Sequence, residues 1–342
     1  MSAALQHQEI PPQAVLHQMM CGHWVSQAIY VTAKLGIADH LADGPRHIDD
    51  LAQTVGGNSG ALYRLLRALA SVGLFTEGEQ RHFALTPIGA CLQTEIPGSM
   101  RPLAILITDF DWEPWKQMLY SVQTGKTAFE RVHGMGVFDY FQQHPEQGQA
   151  FDEAMTTFVT ANGLAVVAAY DFSPFAKIVD VGGGHGALMA AILKANVGTK
   201  GVIFDLPSVV AGAKRTIEAA GLSDRCELVG GDFFTTPLPT GGDAYMMASI
   251  IHDWDDERSL AILKNCRRAM SDHAKLLLVE MVIPPGDTPF LGKLLDLEML
   301  VCFGGQDRTE VEYHQLLAAA GFQLARIVPT ATPSSIIEAV PA

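Results

Sequence analysis

The stretch that decides the fold reads Ile-Val-Asp-Val-Gly-Gly-Gly-His-Gly and spans residues 178–186. Short apolar residues surround an acid, Asp180, and a turn with glycines at positions 182, 184 and 186 (the glycine turn) precedes a helical stretch from Ala187. A strand that stops at such a turn lets the backbone approach a ligand more closely than any Cβ would permit. The stretch therefore predicts the first strand, turn and helix of a nucleotide-type binding domain.

A second acid lies where a ribose would need it. Asp205 ends the apolar run that begins at Gly201, and about 20 residues is the spacing that places a carboxylate on a ribose diol. Together these features predict a cofactor that carries a nucleoside. Gly182 and Gly184, with Ala187, also satisfy the dinucleotide pattern in its alanine-ended form, so a nicotinamide cofactor is the alternative.

Two acidic positions favour S-adenosylmethionine over a dinucleotide. Asp180 directly precedes the glycine turn, where a carboxylate suits an ammonium or sulfonium better than a pyrophosphate. Asp232 follows another short apolar run, in the segment Gly231-Asp-Phe-Phe234, where an acid and an aromatic ring would hold an adenine. An ordinary buried turn with surface acids is the competing interpretation.

The composition predicts a large core and disfavours nucleic acid as a partner. Of 342 residues, 48% are apolar and 18% are charged, so disorder is not expected, and the formal net charge of −14 opposes phosphate binding. The five cysteines lack metal-ligand spacing, and we expect reduced thiols and no metal. No apolar run has membrane-spanning length and the N-terminus does not read as a signal peptide, so we expect a cytoplasmic protein that binds no membrane.

Residues 1–100 have the pattern of a winged helix, a fold that usually reads DNA. The predicted elements are three helices and a hairpin, over 25–41, 47–55, 60–71 (capped by Ser59) and 74–86. The segment holds five Lys or Arg against eight Asp or Glu, a net charge of −3, which is too acidic for a duplex at physiological salt. We therefore expect its apolar residues to pack internally and against a second subunit, as in a dimerisation domain.

The rest of the chain divides into a helical connector and a sheet domain. Residues 101–170 are helical and aromatic-rich, and Met155, Phe158 and Asn162 recur at helical spacing where a substrate wall would lie. Over residues 171–342 strands and helices alternate, which predicts a Rossmann-like α/β domain with a seven-stranded, mostly parallel sheet and an antiparallel last strand. The predicted strands are 177–181, 201–205, 226–229, 244–250, 275–281, 322–328 and 335–340.

A histidine and two acids follow neighbouring strands of this sheet. His252 comes after the fourth strand, in a turn before a helix predicted to begin with the residues that follow it, and Glu280 ends the fifth. Asp307 lies in a loop before a later helix. Ligands bind at the carboxyl ends of such strands, and a histidine oriented by one or two carboxylates can act as a general base. A structural polar cluster is the competing interpretation.

The chain resembles the class I S-adenosylmethionine-dependent O-methyltransferases of the caffeic-acid and acetylserotonin type, and more closely their bacterial secondary-metabolite relatives. The resemblance covers nearly the whole chain. It includes the winged-helix-like segment and the motifs Ser121-Val-Gln-Thr-Gly125, Phe151-Asp-Glu-Ala-Met155, Asp180-Val-Gly-Gly-Gly-His-Gly186, Phe204-Asp-Leu-Pro207, Gly231-Asp-Phe-Phe234, His252-Asp-Trp254 and Gly304-Gly-Gln-Asp-Arg-Thr309. It implies a homodimer in which the N-terminal segment closes part of the partner's site.

The resemblance also implies roles for individual residues. His252 is implied as the general base, with Glu280 and Asp307 flanking it. The cofactor contacts expected here are Asp180, Gly182, Gly184, Asp205, Leu206, Gly231, Asp232, Phe233 and Ser249. The substrate contacts expected here are Trp112, Met155, Phe158, Asn162, Asp253, Met299 and Phe303. This lining suits a flat, apolar acceptor.

Two positions depart from the pattern of the plant enzymes. Ala248 stands where those enzymes have a lysine four residues before the catalytic histidine, and Ser249 is expected to supply a polar contact instead. Asp307 stands where the plant pattern has glutamate, which shortens the reach of this acid by one methylene.

The leading hypothesis is methyl transfer from S-adenosylmethionine to a hydroxyl of a small phenolic or quinonoid metabolite, with His252 as the base. A second hypothesis keeps the fold and the cofactor but places the methyl on nitrogen or carbon, or uses the bound cofactor without methyl transfer. A third is a regulator that senses the cofactor and binds DNA, which the acidic N-terminal segment disfavours.

Overall fold

The structure is a computed structural model that describes residues 10–342, apart from the side chains of Phe158, Thr160 and Ala161. The chain forms two compact units, one ending at Phe110 and one running from Asp111 to Ala342.

The first unit is helical with a small sheet. Its elements are α1 (Pro12–Met20), α2 (Gly22–Lys34), α3 (Ile37–His40), β1 (Arg46–His47), α4 (Ile48–Val55), α5 (Ser59–Ser71), β2 (Phe75–Glu77), a 3₁₀ turn (Glu79–Arg81), β3 (His82–Leu85), α6 (Pro87–Ala90) and α7 (Arg101–Asp109). The strands form an antiparallel sheet in the order β1-β3-β2. The predicted hairpin is therefore present, and β1 adds a third strand at its edge.

Local chemistry corrects two of the predicted helix boundaries in this unit. The single helix predicted over 25–41 is divided, because Gly36 adopts a left-handed conformation (φ +62°) between α2 and α3. The cap of α5 is Asn58 rather than Ser59, since the Asn58 side chain accepts a hydrogen bond from the backbone N–H of Ala61. Ser59 is the first helical residue, and its hydroxyl donates to Asp49.

The second unit is an α/β domain with a helical entry. Its elements are α8 (Trp112–Trp115), α9 (Met118–Thr124), α10 (Ala128–His133), α11 (Val137–Gln143), α12 (Pro145–Ala169), β4 (Lys177–Val181), α13 (Ala187–Ala195), β5 (Lys200–Asp205), α14 (Pro207–Ala219), β6 (Cys226–Gly230), β7 (Ala244–Ala248), a 3₁₀ turn (Ile251–Asp253), α15 (Asp256–Ala269), β8 (Lys275–Ile283), α16 (Gly292–Glu298), a π-helical turn (Met299–Phe303), β9 (Arg308–Thr309), α17 (Glu310–Ala319), β10 (Phe322–Pro329) and β11 (Ser334–Pro341).

The sheet confirms the predicted fold class. Its order is β10-β11-β8-β7-β4-β5-β6, with β4 to β8 parallel and β11 antiparallel to both of its neighbours. The short strand β9, which was not predicted, pairs in parallel with the end of β8. Successive residues of β4 point to opposite faces, since Val179 belongs to one buried apolar cluster and Ile178 to the other. Both faces of the sheet are therefore covered.

The fourth strand ends earlier than the sequence predicts. β7 stops at Ala248 because Ser249 takes a left-handed conformation (φ +53°), which a strand cannot accommodate. The following helix, predicted to begin with Asp253, begins at Asp256 and is capped by Asp255. Residues 251–253 form instead the separate 3₁₀ turn, which we call the histidine turn.

All five cysteines are free, and Cys226, Cys266 and Cys302 are buried. Within residues 10–342 no helix combines the length and the apolarity that crossing a bilayer requires.

Candidate active site

The glycine turn connects β4 to α13 at the carboxyl edge of the sheet. Gly182, Gly184 and Gly186 all have positive φ values, between +54° and +76°. A Cβ on Gly182 would lie 2.4 Å from Cδ1 of Ile250, whereas a Cβ on Gly184 would meet nothing within 4 Å. The turn is thus packed tightly on one side and faces open space on the other, as a ligand-binding turn requires.

Asp205 is fixed at the end of β5 by two backbone donors. The N–H of Gly184 donates to Oδ2 over 2.8 Å, and the N–H of Leu206 donates to Oδ1 over 2.7 Å. Burial raises the pKa of Asp205, and the two N–H groups oppose this shift. The structure therefore brings Asp205, Leu206 and the glycine turn together, with the carboxylate in a single orientation.

Asp180 lies beneath the glycine turn and carries an uncompensated carboxylate. The side chain is buried, a Cβ on Gly183 would lie 2.9 Å from it, and Oδ1 has no hydrogen-bond partner among the described residues. Burial and the nearby charge of Asp205 raise the pKa of Asp180 to about 8. A cationic ligand would relieve both effects, so the residues fit a cofactor with a sulfonium and an ammonium.

The residues predicted to contact the adenine form hydrogen bonds and ring contacts with their own neighbours. The carboxylate of Asp232 accepts from the N–H of Phe234 (2.8 Å) and from the hydroxyl of Thr235 (3.2 Å), so it stabilises its own turn. A Cβ on Gly231 would lie 2.6 Å from the ring of Phe204. The Phe233 ring contacts Phe234 edge-on, at 4.9 Å between ring centroids. The segment from Gly231 to Phe234 is therefore closely packed.

Two side chains of α12, Thr156 and Asp152, lie beside the glycine turn and contact His185. His185, within the turn, places Nδ1 3.1 Å from the hydroxyl of Thr156 and Nε2 3.8 Å from Oδ2 of Asp152. Burial, Asp205 and Glu153 raise the pKa of Asp152 to about 6. The motif at 151–155 and the substrate wall predicted from Met155 onward pointed to this part of α12, but neither indicated a contact with the turn.

His252 is buried in the histidine turn between two carboxylates. Its Nδ1 lies 3.1 Å from Oδ1 of Asp307, and its Nε2 lies 3.5 Å from Oδ1 of Asp253. Because a carboxylate accepts, the contact with Asp307 assigns a proton to Nδ1. In the neutral imidazole Nε2 is then the nitrogen with the lone pair, which is the arrangement that a general base needs.

Glu280 reaches the same cluster but does not hydrogen-bond to the imidazole. Its Oε1 accepts from the backbone N–H groups of Ile250 (3.1 Å) and Ile251 (2.9 Å), so it holds the backbone that leads into the histidine turn. Among the described residues, Oε2 of Glu280 and Oδ2 of Asp307 have no hydrogen-bond partner. Glu280 thus acts on His252 through its charge and through the turn.

The charges around His252 alter its basicity. Burial by itself lowers the pKa of His252, but three nearby carboxylates, with Glu280 the largest contributor, outweigh burial and raise the pKa to about 10. Burial raises the pKa of Asp253 to about 7 against the lowering effect of His252. Burial likewise raises the pKa of Glu280. The cluster therefore favours a proton on the imidazole.

Gly305 allows the loop of residues 304–307, which we call the acid loop, to lie against the histidine turn. A Cβ at Gly305 would be 2.0 Å from the carbonyl oxygen of His252 and 2.3 Å from the carbonyl carbon of Asp253. These distances exclude any side chain larger than hydrogen. The close approach delivers Asp307 to Nδ1 of His252.

Aromatic side chains lie next to this cluster. The π-helical turn contacts the histidine turn and helices α8, α9 and α10. Its last residue, Phe303, lies 6.0 Å from Phe138 and 6.2 Å from Phe151 between ring centroids, and Phe138 stacks on Trp254 at 5.0 Å. Met299 is buried at the start of the same turn. The turn that carries Met299 and Phe303 thus contacts the histidine turn, as a substrate wall would.

For the remaining predicted substrate contacts, the structure gives the helix and the burial of each side chain. Trp112 is half-buried in α8, and Met155 and Asn162 are half-buried on α12. The side chain of Phe158 lies outside the described residues. Phe138 and Phe151 were recognised as aromatic in the sequence, but nothing in their spacing indicated that they would lie beside Phe303.

Comparison with known proteins identifies the family. The model of the O-methyltransferase domain matches residues 115–323, and the model of the O-methyltransferase dimerisation domain matches residues 17–95. The chain belongs to the O-methyltransferase family. The family match confirms three predictions from the sequence: the resemblance to class I S-adenosylmethionine-dependent enzymes, the cofactor and the homodimer.

Individual relatives agree with this assignment. The chain is similar to phenazine O-methyltransferase PhzM of Lysobacter antibioticus, with 48% identity over 97% of each chain. It is 36% identical to 8-amino-8-demethylriboflavin N,N-dimethyltransferase of Streptomyces davaonensis, over 97% of this chain and 96% of that one. The crystal structure of human N-acetylserotonin methyltransferase in complex with S-adenosylmethionine is 27% identical, with a TM-score of 0.90 over 98% of this chain and 99% of that chain.

Proposed function

We propose that this O-methyltransferase methylates a hydroxyl of a small, flat aromatic metabolite and that His252 removes the proton from that hydroxyl. The contact that carries the proposal is the 3.1 Å separation of His252 Nδ1 and Asp307 Oδ1. It fixes the imidazole so that Nε2 is available for the acceptor.

The aromatic lining and the relatives support a phenolic or quinonoid acceptor. Phe303, Phe138 and Trp254 form a row of contacting rings beside the histidine turn. A relative with 48% identity is named as a phenazine O-methyltransferase, so a hydroxyphenazine is the first acceptor to test. Trp112, Met155, Phe158 and Asn162 are proposed as further substrate contacts.

The basicity of His252 suits a phenol. A phenol has a pKa near 10 and free imidazole one near 6.5, so proton transfer between them costs about 5 kcal/mol. The surrounding carboxylates raise the pKa of His252 to about 10, so the transfer itself is nearly balanced, while freeing the imidazole of its own proton at pH 7 costs about 4 kcal/mol. The same shift means that the free enzyme holds a proton on His252 at neutral pH, so we propose that activity rises with pH.

The carboxylates have separate roles in this proposal. Asp307 holds Nδ1–H, and Asp253, at 3.5 Å from Nε2, stabilises the charge that develops on the imidazole and lies beside the acceptor oxygen. Glu280 holds the histidine turn through the N–H groups of Ile250 and Ile251.

The glycine turn and the acids around it would hold the cofactor. Asp205 would bind the ribose, Asp180 would face the cationic part, and Gly182 and Gly184 would allow close approach of the backbone. Gly231, Asp232, Phe233, Leu206 and Ser249 are proposed as the remaining contacts. When bound, S-adenosylmethionine supplies an electrophilic methyl group. The remaining task of the chain is to hold the acceptor oxygen in line with that methyl, about 3 Å away.

One relative favours a second candidate, in which the acceptor atom is nitrogen. A protein 36% identical over 97% of this chain is named as an N,N-dimethyltransferase of an aminoriboflavin. A buried acidic cluster around His252 would also accept a proton from an arylamine as it is methylated. The two candidates use the same residues and differ in the acceptor.

Mass spectrometry with purified protein, S-adenosylmethionine and matched pairs of hydroxy- and aminophenazines separates these candidates. The proposal expects the hydroxyl compound to gain one methyl group and the fragmentation pattern to place it on oxygen. Methylation of the amine alone would favour the second candidate, and no methylated product from any phenolic or quinonoid acceptor would contradict the proposed substrate class.

We also propose a functional division of the chain and a location. Residues 1–100 would serve dimerisation, 101–170 would form the connector and substrate wall, and 171–342 would bind the cofactor. A cytoplasmic location is supported by five unpaired cysteines, three of them buried. Fractionation of the producing cells with a thiol-labelling reagent tests the location.

A further inference from the structure

Arg308 is the largest fully buried side chain in the described part of the chain, with 0% of its surface exposed. Its guanidinium donates to the carbonyl oxygens of Ile251 (3.2 Å) and Trp254 (3.0 Å). It also donates to the carbonyl oxygen of Gln306, at 3.2 Å. The first two carbonyls bracket the His252–Asp253 pair, and the third belongs to the acid loop. One side chain therefore bridges the two segments that supply the base and its carboxylate.

Ser259 reinforces the same two carbonyls from α15. Its hydroxyl oxygen lies 3.2 Å from the carbonyl oxygen of Ile251 and 3.2 Å from that of Trp254, and the side chain is buried. Nη2 of Arg308 donates to this hydroxyl over 3.3 Å. The guanidinium thus holds both carbonyls, and the single hydroxyl proton of Ser259 is shared between them.

Within residues 10–342, one carboxylate, that of Asp256, forms a salt bridge with Arg308. Oδ1 of Asp256 accepts from Nε (3.0 Å) and from Nη2 (2.8 Å). The side chain of Asp256 is 71% exposed, whereas that of Arg308 is buried. A buried guanidinium costs free energy unless all its donors are satisfied. Because the donors of Arg308 hold a turn and a loop in place, its burial points to a role in geometry.

The position of Arg308 in the chain couples the two parts of the site. Arg308 directly follows Asp307 and lies in β9. There it pairs with Val282 of β8, which is two residues beyond Glu280 in the same strand. A movement of Arg308 would therefore shift the acid loop and the histidine turn together.

We propose that Arg308 is a positioning residue, which locks the histidine turn against the acid loop so that His252 Nδ1 meets Asp307. The proposal rests on the proposed role of His252 as the base. Arg308 does not touch the acceptor or the cofactor in this account, and its effect reaches the reaction through His252 and Asp307.

The test compares Arg308→Met with a matched control, Arg225→Met. Arg225 directly precedes β6 and also binds backbone carbonyls, those of Leu193, Asn196, Val197 and Thr199 ahead of β5, at the edge of the sheet opposite the site. Both variants remove a guanidinium that ties loops together. The readouts are the dissociation constant of S-adenosylhomocysteine, kcat and KM for a hydroxyphenazine, and the downfield proton resonance of the His252 Nδ1–H, assigned by its loss in His252→Ala.

A positioning role predicts that Arg308→Met lowers kcat by about 100-fold, the scale of a 1 Å misplacement, while the S-adenosylhomocysteine dissociation constant changes by less than about threefold. The Nδ1–H resonance is expected to move upfield or vanish. Arg308→Lys is expected to recover part of kcat, and Arg225→Met to leave kcat and the resonance unchanged. If Arg308→Met folds poorly, Asp256→Asn provides the same test. This variant keeps the Arg308 guanidinium but removes its counter-charge, so we expect kcat to fall by about threefold to tenfold and the Nδ1–H resonance to weaken.

An unchanged kcat together with an unchanged Nδ1–H resonance in Arg308→Met would overturn the proposal. Where Asp256→Asn replaces that variant, the same result would overturn it. Equal losses in Arg308→Met and Arg225→Met would also overturn it, since the effect would then be one of stability alone. Failure of the proposed function looks different. His252→Ala would retain turnover, while the resonance would still report whether Arg308 sets the contact between His252 and Asp307.

Discussion

Asp307 Oδ1 lies 3.1 Å from Nδ1 of His252, and both side chains are buried. The pair joins a turn after the fourth strand of the sheet domain to a loop before α17, which are 55 residues apart in sequence. A carboxylate in this position fixes the imidazole and raises its basicity.

Replacing Asp307 with asparagine tests the contact directly. Asp307→Asn keeps the shape of the side chain but removes the charge, and its amide can present a donor to Nδ1, which favours the wrong tautomer. We expect kcat to fall by about 100-fold or more, on the scale of general-base catalysis. Steady-state kinetics at saturating cofactor and acceptor checks this. Asp272→Asn, an exposed carboxylate paired with Arg267, is the control and should retain kcat. Retained kcat in Asp307→Asn would show that the carboxylate does not orient the base.

The raised pKa of His252 predicts how activity depends on pH. Only the deprotonated imidazole can accept a proton, and the carboxylates raise its pKa to about 10 in the free protein. The value of kcat/KM, which reports the free enzyme, should therefore rise from neutral pH toward alkaline pH. Asp307→Asn removes one of the groups that raise the pKa, so the rising limb should move to lower pH. A limb that stays at the same pH in this variant would mean that another group titrates.

Asp180 predicts proton release on cofactor binding. Its pKa of about 8 in the free protein means that it is mostly protonated at pH 7, and a bound cation favours the charged form. Binding should therefore release protons at neutral pH, and affinity should fall as pH decreases below about 8. Calorimetry with S-adenosylmethionine in buffers of different ionisation enthalpy measures the release. Asp180→Asn should bind more weakly and release fewer protons than Asp224→Asn, an exposed control. Identical proton release in all three proteins would contradict the role of Asp180.

Gly305 predicts a steric requirement in the acid loop. A methyl group there would overlap the backbone of the histidine turn, with 2.0 Å to the His252 carbonyl oxygen. We expect Gly305→Ala to lower the free energy of unfolding by about 1–3 kcal/mol and to abolish most of the activity, because the loop must move. Gly198→Ala is the control, since a Cβ at Gly198 meets nothing within 4 Å. Denaturant unfolding and kcat measurements on both variants check this, and equal effects would contradict it.

Much of the sheet could be predicted from local sequence because apolar runs between turn residues define buried strands. The strand at 177–181 was predicted with its observed ends, and the final antiparallel hairpin follows from the missing helix. The end of β7 could not be predicted, since Ser249 takes a left-handed conformation that favours glycine, and only tertiary packing selects it. The cap at Asn58 was missed because two adjacent polar residues can each cap a helix.

The site was only partly predictable for a related reason. The rule that strand ends meet at one edge brings His252 and Glu280 together, and the motif at 304–309 suggested Asp307. The sequence did not indicate that Glu280 would accept from backbone N–H groups, because that depends on the path of the histidine turn. Nor did it indicate that Arg308 would be fully buried, since arginine is rarely buried without a partner. Such features depend on contacts distant in sequence.

The most direct test of the central claim is turnover by His252→Ala, with cofactor affinity measured on the same preparation. If His252 is the base, S-adenosylhomocysteine should bind within about twofold of the unaltered protein, while kcat for a hydroxylated aromatic acceptor falls by about 10²–10⁴-fold. Turnover equal to that of the unaltered protein, with the methyl still placed on oxygen, would contradict the account.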